Sequence, residues 1–316
     1  MSDPWPPPKD GPSTFADGVR LAIGTLSVFP VRPGVVDRRA GGIAMTVAPL
    51  VGAVIGAVGG LALMISLWLG TTPLPASVLA VTIVALLTRG LHLDGLADLA
   101  DGLGSGKPAE RALEIMKRSD IGPFGVVTLV LVLLVQVTAL QEAITGAGAG
   151  AGAITLVAAC TAGRLALTWA CRAGVPPARP DGLGAMVAGT VRRSVAVAVT
   201  ALVLAGTTAL AYLHGIGALD LWSSGSPSEP SGGWGYWAYV EMPYSEVAIT
   251  GAGSLGLGPF LAPLGLPLAM LVGLLAAWAI RRRAVRRLGG VTGDVLGALV
   301  ETATATTLLA CTILAN

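Results

Sequence analysis

An all-α, polytopic transmembrane helical bundle of about seven spans is the fold class this sequence predicts. Three observations carry it. Charge is scarce, apolar residues come in blocks of bilayer length, and basic residues fall in alternate gaps between those blocks. Asp, Glu, Lys and Arg together make up 12% of the 316 residues, about half the share of a soluble domain. A soluble chain of this size would need more charge to clothe its surface. Hydrophobic residues are 53% and the mean hydropathy is +0.76.

The apolar blocks place the spans at Ala44–Leu69, Leu74–Gly90, Phe124–Ala143, Ala153–Cys171, Ser194–Leu213, Gly258–Ile280 and Val295–Leu314. Each approaches the roughly 20 residues a helix needs to cross a bilayer. Segment Phe15–Phe29 is apolar but interrupted by Asp17 and Arg20, which suits an interfacial helix. Every Lys and Arg except Arg164 lies before the first span, in the gaps after the second, fourth and sixth, or, for Arg89, at the edge of the second span beside its gap. The positive-inside rule then puts the N-terminus and those gaps in the cytoplasm and the C-terminus outside. The chain reads as a single domain over 1–316, with 1–43 cytoplasmic and 214–257 a long external loop. That loop is rich in Gly, Ser, Pro and Trp and has no Lys or Arg. Gly146–Gly152 reads as a tight external turn.

Glycine stands at 44 residues, about twice the usual share, as expected where small residues let membrane helices approach closely. Cys160, Cys171 and Cys311 lie in apolar blocks without metal or disulfide spacing, so they read as core residues. No cleavable signal peptide is expected.

The acids gather beside the basic gaps. In His92-Leu-Asp94-Gly-Leu-Ala-Asp98-Leu-Ala-Asp101 the carboxylates recur at i, i+4 and i+7, on one helix face. Like charges on one face repel. A divalent cation such as Mg²⁺, which takes carboxylate oxygens, waters and phosphates, would hold them together. A second stretch, Met116-Lys117-Arg118-Ser119-Asp120-Ile121-Gly122-Pro123, puts two bases before a helix start, where backbone amides favour anions. A third, Thr292-Gly293-Asp294 with Glu301 seven residues on, sets a second acid about 10 Å deeper in the bilayer. An ionisable group at that depth is a functional candidate, with Arg164 its obvious partner. A fourth, Ala178-Arg179-Pro180-Asp181-Gly182, is a turn. Together these outline a cytoplasm-facing centre for metal-assisted phosphoryl transfer, where catalysis is positioning and charge neutralisation.

On these residues the chain resembles the cobalamin synthase (adenosylcobinamide-GDP ribazoletransferase) family. The resemblance lies in His92-x-Asp94-Gly-Leu-Ala-Asp98-x-x-Asp101-Gly, Met116-Lys117-x-Ser-x-Ile-Gly, Ala178-Arg179-x-x-Gly-Leu-Gly, Leu-Gly-Gly-x-Thr292-Gly-Asp294-x-x-Gly-Ala-x-x-Glu301, and Phe29-Pro30 through Gly52. These match in order along nearly the whole chain. The departures are Arg118, where the family often has an acid, Thr304 and Thr306 beyond Glu301, where it often carries a further acid, and the Trp-rich external loop.

The resemblance implies a Mg²⁺-dependent integral membrane transferase. It would join adenosylcobinamide-GDP and α-ribazole, or its 5′-phosphate, and release GMP. On that reading Asp94, Asp98 and Asp101 hold Mg²⁺, and His92, Lys117 and Asp294 are catalytic. Arg118, Asp120, Arg164, Arg179 and Glu301 bind substrate. The expected location is the bacterial cytoplasmic (inner) membrane. Expected partners are corrinoid and nucleoside small molecules and the lipid bilayer, with no nucleic acid. A homo-oligomer or an assembly with late corrinoid-pathway enzymes would be consistent with the family. The competing readings are a phosphotransferase of the CDP-alcohol type and a secondary transporter. The transporter is disfavoured because the acids sit at one membrane face and no internal repeat is visible.

Overall fold

The structure of the protein, a computed structural model, describes residues 11–32, 34–118, 120–215 and 264–315. Ten helices are described: α1 (Phe15–Leu26), α2 (Arg38–Trp68), α3 (Pro73–Leu87), α4 (Leu91–Gly104), α5 (Ala109–Ile115), α6 (Pro123–Ala170), α7 (Gly182–Val187), α8 (Arg193–Gly215), α9 (Gly265–Leu288) and α10 (Gly293–Ala315). Among the described residues there is no strand, only the isolated bridges Arg172–Val191 and Pro177–Val291. The external loop expected at 214–257 lies outside the described residues from 216 onward.

Five helices, α2, α6, α8, α9 and α10, are long and apolar enough to cross a bilayer, or six if the bent pair α3 and α4 counts as one broken span. The sequence suggested seven segments, and the difference has two sources. The 48 residues of α6 hold both the third and the fourth segment. They are divided at Gly148, whose φ of 86° and ψ of 174° fall in a region essentially reserved for glycine. A Cβ on Gly152 would strike the side chain of Ile144, eight residues earlier and about 12 Å away in a straight helix. The chain therefore folds back at Gly148, and the expected turn over Gly146–Gly152 shrinks to one non-helical residue. The second source is α3. Its 15 residues reach only about 22 Å, and α4 leaves it at 88°. Arg89 and Gly90, with φ of 56° and 67°, make that corner.

Packing follows from small residues. Gly52, Gly56 and Gly60, one per turn of α2, face Cys160, Val157 and Ala153 of α6; a Cβ would collide at the first two and be tightly crowded at the third. This is the packing expected where helices must associate without a hydrophobic drive between them. Helix α10 is the core element, with 67% of its apolar window buried, whereas α8, at 11%, sits on the rim. The helix expected over Phe15–Phe29 is α1, closed by a capping box between Thr14 and Asp17. At the start of α2, Asp37 accepts from the Ala40 amide at 2.7 Å and from Ser13 Oγ at 2.7 Å. This ties the N-terminal segment to the bundle.

Gly148→Val should cost about 1–3 kcal/mol by forcing a side chain into a glycine-only conformation. Gly146→Ala, with an ordinary φ and open space around its Cβ, should not weaken the fold. Thermal unfolding of both variants in detergent checks this.

Candidate active site

The site forms where α4 crosses the start of α10. A Cβ on Gly95 would lie 2.7 Å from the Asp294 carbonyl oxygen, so α4 reaches α10 only because residue 95 is glycine. The same packing sets Gly297 against the backbone of His92. Asp94 and Asp98, one turn apart on α4, are thereby brought to Asp294 from another part of the chain.

Thr292 starts α10. Its Oγ1 accepts from the Val295 amide and donates to Asp294 Oδ2, both at 3.2 Å. Beside it the turn before α7 pairs with the loop before α10. Ala178 N donates to Val291 O and Val291 N to Pro176 O, each at 3.0 Å. Gly290 sits so tightly under Pro176 and Pro177 that no side chain fits there. That pairing delivers Arg179 to the carboxylates. Arg38 of α2 secures the far side by donating to the Ala185 and Ala188 carbonyls.

A cavity of about 300 Å³ opens here. His92, Asp94, Arg179, Asp181 and Asp294 provide its polar wall, and Leu26, Met45 and Leu167 its apolar floor. Helix α4, turned across the end of the bundle, holds its carboxylates outside the spanning helices. Burial pushes Asp98 up to about 7, and Asp94, Asp294 and Asp101 add to the rise while Arg179 opposes it. Burial, and then the charge of Arg164, holds His92 well below its ordinary value, so its imidazole is neutral. Its Nδ1 is buried without a partner among the described residues, as is Nε of Arg179. Arg179 Nη2 donates to Leu113 O at 2.6 Å.

Asp94, Asp98, Asp294, Arg179 and His92 are therefore brought together. The other residues singled out in the sequence lie elsewhere. Both Asp101 oxygens accept backbone amides at the start of α6, from Gly122 at 2.7 Å and Gly125 at 3.0 Å. The anion expected at that helix start is thus the protein's own carboxylate. Lys117, Arg118 and Asp120 are exposed on the turn between α5 and α6 and do not line the cavity. Arg164 and Glu301 are buried in the bundle core. The ion pair expected between them is not formed. Glu301 accepts from Gln136 Nε2 at 2.7 Å, while Arg164 leans on Gly52 of α2 and, among the described residues, reaches only the Cys160 carbonyl at 3.5 Å.

Two residues escaped the sequence reading. Gln136, a lone amide in an apolar span, is the sort of polar residue that bonds across membrane helices. Asp181 stood inside a motif without a role, and it faces the cavity.

Among the described residues no three His, Cys, Asp or Glu side chains already converge as a metal cage. The donors fit a cation held otherwise, by one or two carboxylates with waters and substrate phosphate completing the shell, as Mg²⁺ is commonly bound. The charge crowding at Asp98 is what such a cation would relieve.

A helical membrane bundle with a carboxylate and arginine centre at one end suits an integral membrane transferase acting on anionic substrates. The family model for cobalamin-5-phosphate synthase matches residues 18–312. An adenosylcobinamide-GDP ribazoletransferase of Frankia casuarinae is 41% identical over 92% of each chain. Enzymes of the same name from Nocardioides sp. (34%, over 93% of this chain and 97% of the relative) and Corynebacterium efficiens (33%, over 96% and 93%) are also similar. No solved structure matches the chain. The chain belongs to the cobalamin-5-phosphate synthase family and is a transferase of cobalamin biosynthesis.

The carboxylates separate by variant. Asp101→Ala, which strips two amides at the start of α6, should cost about 1–2 kcal/mol of stability. Asp98→Asn removes a crowded charge and should not destabilise. Because the folded pKa of Asp98 is raised, wild-type stability without divalent cations should fall as pH climbs from about 4 to about 7, more steeply than in Asp98→Asn. Thermal melts of the three proteins across pH in EDTA read both effects.

Proposed function

We propose that the protein joins adenosylcobinamide-GDP to α-ribazole or its 5′-phosphate, with Mg²⁺, in a site facing the cytoplasm of a bacterial cytoplasmic membrane. One observation carries the reading. Asp94 and Asp294 line one cavity with Arg179, whose Nε has no acceptor among the described residues, and Asp98 lies close enough behind them to feel the charge of all three. The names of the relatives support the substrates, and the alternate basic segments support the orientation.

Asp94 and Asp98, one turn apart, would hold the cation, with Asp294 facing them. When bound, Mg²⁺ would neutralise charge on the diphosphate and polarise the phosphorus under attack. Arg179 would donate Nε–H to a phosphate oxygen, taking up the charge of the departing nucleotide. The ribazole hydroxyl oxygen forms the new bond to the corrinoid-side phosphorus. The bond from that phosphorus to the oxygen bridging to GMP breaks, and GMP leaves with that oxygen. Asp294, steadied by Thr292, takes the hydroxyl proton. Neutral His92 in the cavity wall would hydrogen-bond the acceptor nucleoside. Lys117, Arg118 and Asp120 are assigned no step, and Asp101, Arg164 and Glu301 support the scaffold.

Detergent-purified protein given adenosylcobinamide-GDP, α-ribazole and Mg²⁺ should release GMP and form the joined corrinoid, and EDTA should abolish both. Asp94→Asn and Asp98→Asn should lose on the order of a hundredfold or more in kcat. Folded protein that releases GMP only with a lipid alcohol as acceptor, or that ignores EDTA, would contradict the reading.

A further inference from the structure

A second cleft lies on the flank of the bundle, among α6, α8, α9 and α10, with a volume of about 280 Å³. Its wall is apolar, from Trp169, Leu271, Leu274, Leu275 and Trp278, except for one charge, Arg281. Leu271, Leu275 and Trp278 are exposed, so the rim lies on the surface that the bilayer covers. Helix α8 leaves the cleft open. It buries only Ala196 and Thr207 and is tied to α6 by Trp169 Nε1 donating to Thr200 Oγ1 at 2.9 Å.

Arg281 is 93% buried, with 7% of its surface exposed. It donates to the Trp169 carbonyl at 2.9 Å. No carboxylate among the described residues lies within ion-pair distance of it. Its charged neighbours make the imbalance worse. Arg172 is near enough to repel it, and Arg282 lies over the ring of Trp278 at 5.4 Å. A buried cation without a counter-charge is costly. Arg281 stands two turns before the end of α9 at Leu288, about 10 Å along the helix, at the end of the bundle that carries the carboxylates. In a bilayer this depth is near the headgroup boundary.

From these observations we infer that the cleft is a binding site for an anionic phospholipid. The phosphate meets Arg281, with Arg172 and Arg282 near the mouth, and one acyl chain lies along Leu271, Leu274 and Leu275. The occupant is a lipid rather than a soluble phosphate because the cavity below the charge is apolar and opens sideways. Basic pockets between membrane helices are known to take such headgroups. The inference is independent of the reaction proposed above.

The test places the protein in nanodiscs of equimolar phosphatidylcholine and phosphatidylglycerol, extracts it into mild detergent and weighs the retained lipids by native mass spectrometry. Wild type should retain phosphatidylglycerol over phosphatidylcholine. Arg281→Gln should lower that preference about fivefold, the effect of one basic residue near an anionic surface. Arg283→Gln, exposed and outside the cleft, should keep it. Leu275→Trp fills the rim from an exposed position, so it should fold and still lose the retained lipid. Equal retention of the two lipids by wild type would overturn the inference. So would undiminished retention in both Arg281→Gln and Leu275→Trp. A loss in Arg283→Gln as large as in Arg281→Gln would put the lipid on the basic surface and overturn it as well.

Discussion

The contact of α4 with the first turn of α10 is the constraint on which the site depends. At Gly95 the backbone of one helix touches the backbone of the other at Asp294. That touch places acids from distant parts of the chain around one cavity. Burial first, and then their mutual repulsion, raise the pKa of Asp98. The surrounding structure holds them in spite of it. Asp101 pins the far end of α4 to the amides of α6, and the Arg89–Gly90 corner fixes the near end. The paired loops at Ala178 and Val291 hold Arg179 in place. A scaffold that confines like charges in this way is suited to a cation and an anionic substrate, the two things that would neutralise them.

Much of this was legible in the sequence, because spacing along a helix determines which residues share a face. The row Asp94, Asp98 and Asp101 lies on one helix, and Thr292-Gly293-Asp294 opens another. The neighbours across the bundle were harder, since periodicity says nothing about which face meets which. Asp101 looked like the third member of a metal set, yet its oxygens go to amides 21 and 24 residues on. Glu301 looked like the partner of Arg164, yet it bonds Gln136, which lies 165 residues away. Spacing could not show the corner after α3 either, because it turns on Arg89, a non-glycine residue in the left-handed region.

The two buried arginines illustrate how the bundle divides its work. Arg164 sits in the core near Glu301 and His92, with Nε and Nη2 unpartnered among the described residues, and its charge adds to the burial that holds the pKa of His92 down. Arg281 stands at the flank, where a bilayer can supply the missing anion. The carboxylate centre lies at the same end of the bundle as Arg281. Chemistry on charged substrates and contact with charged lipid would then share one membrane face, as the alternating basic segments lead one to expect.

Cation binding itself tests the central claim most directly. Purified protein is titrated with Mn²⁺ as a stand-in for Mg²⁺, and free ion is followed by electron paramagnetic resonance. Saturable binding that Mg²⁺ displaces and that Asp98→Asn largely loses is the result expected of a centre built by Asp94, Asp98 and Asp294. Equal binding by wild type and Asp98→Asn, or none by folded wild type with substrate diphosphate present, would contradict it.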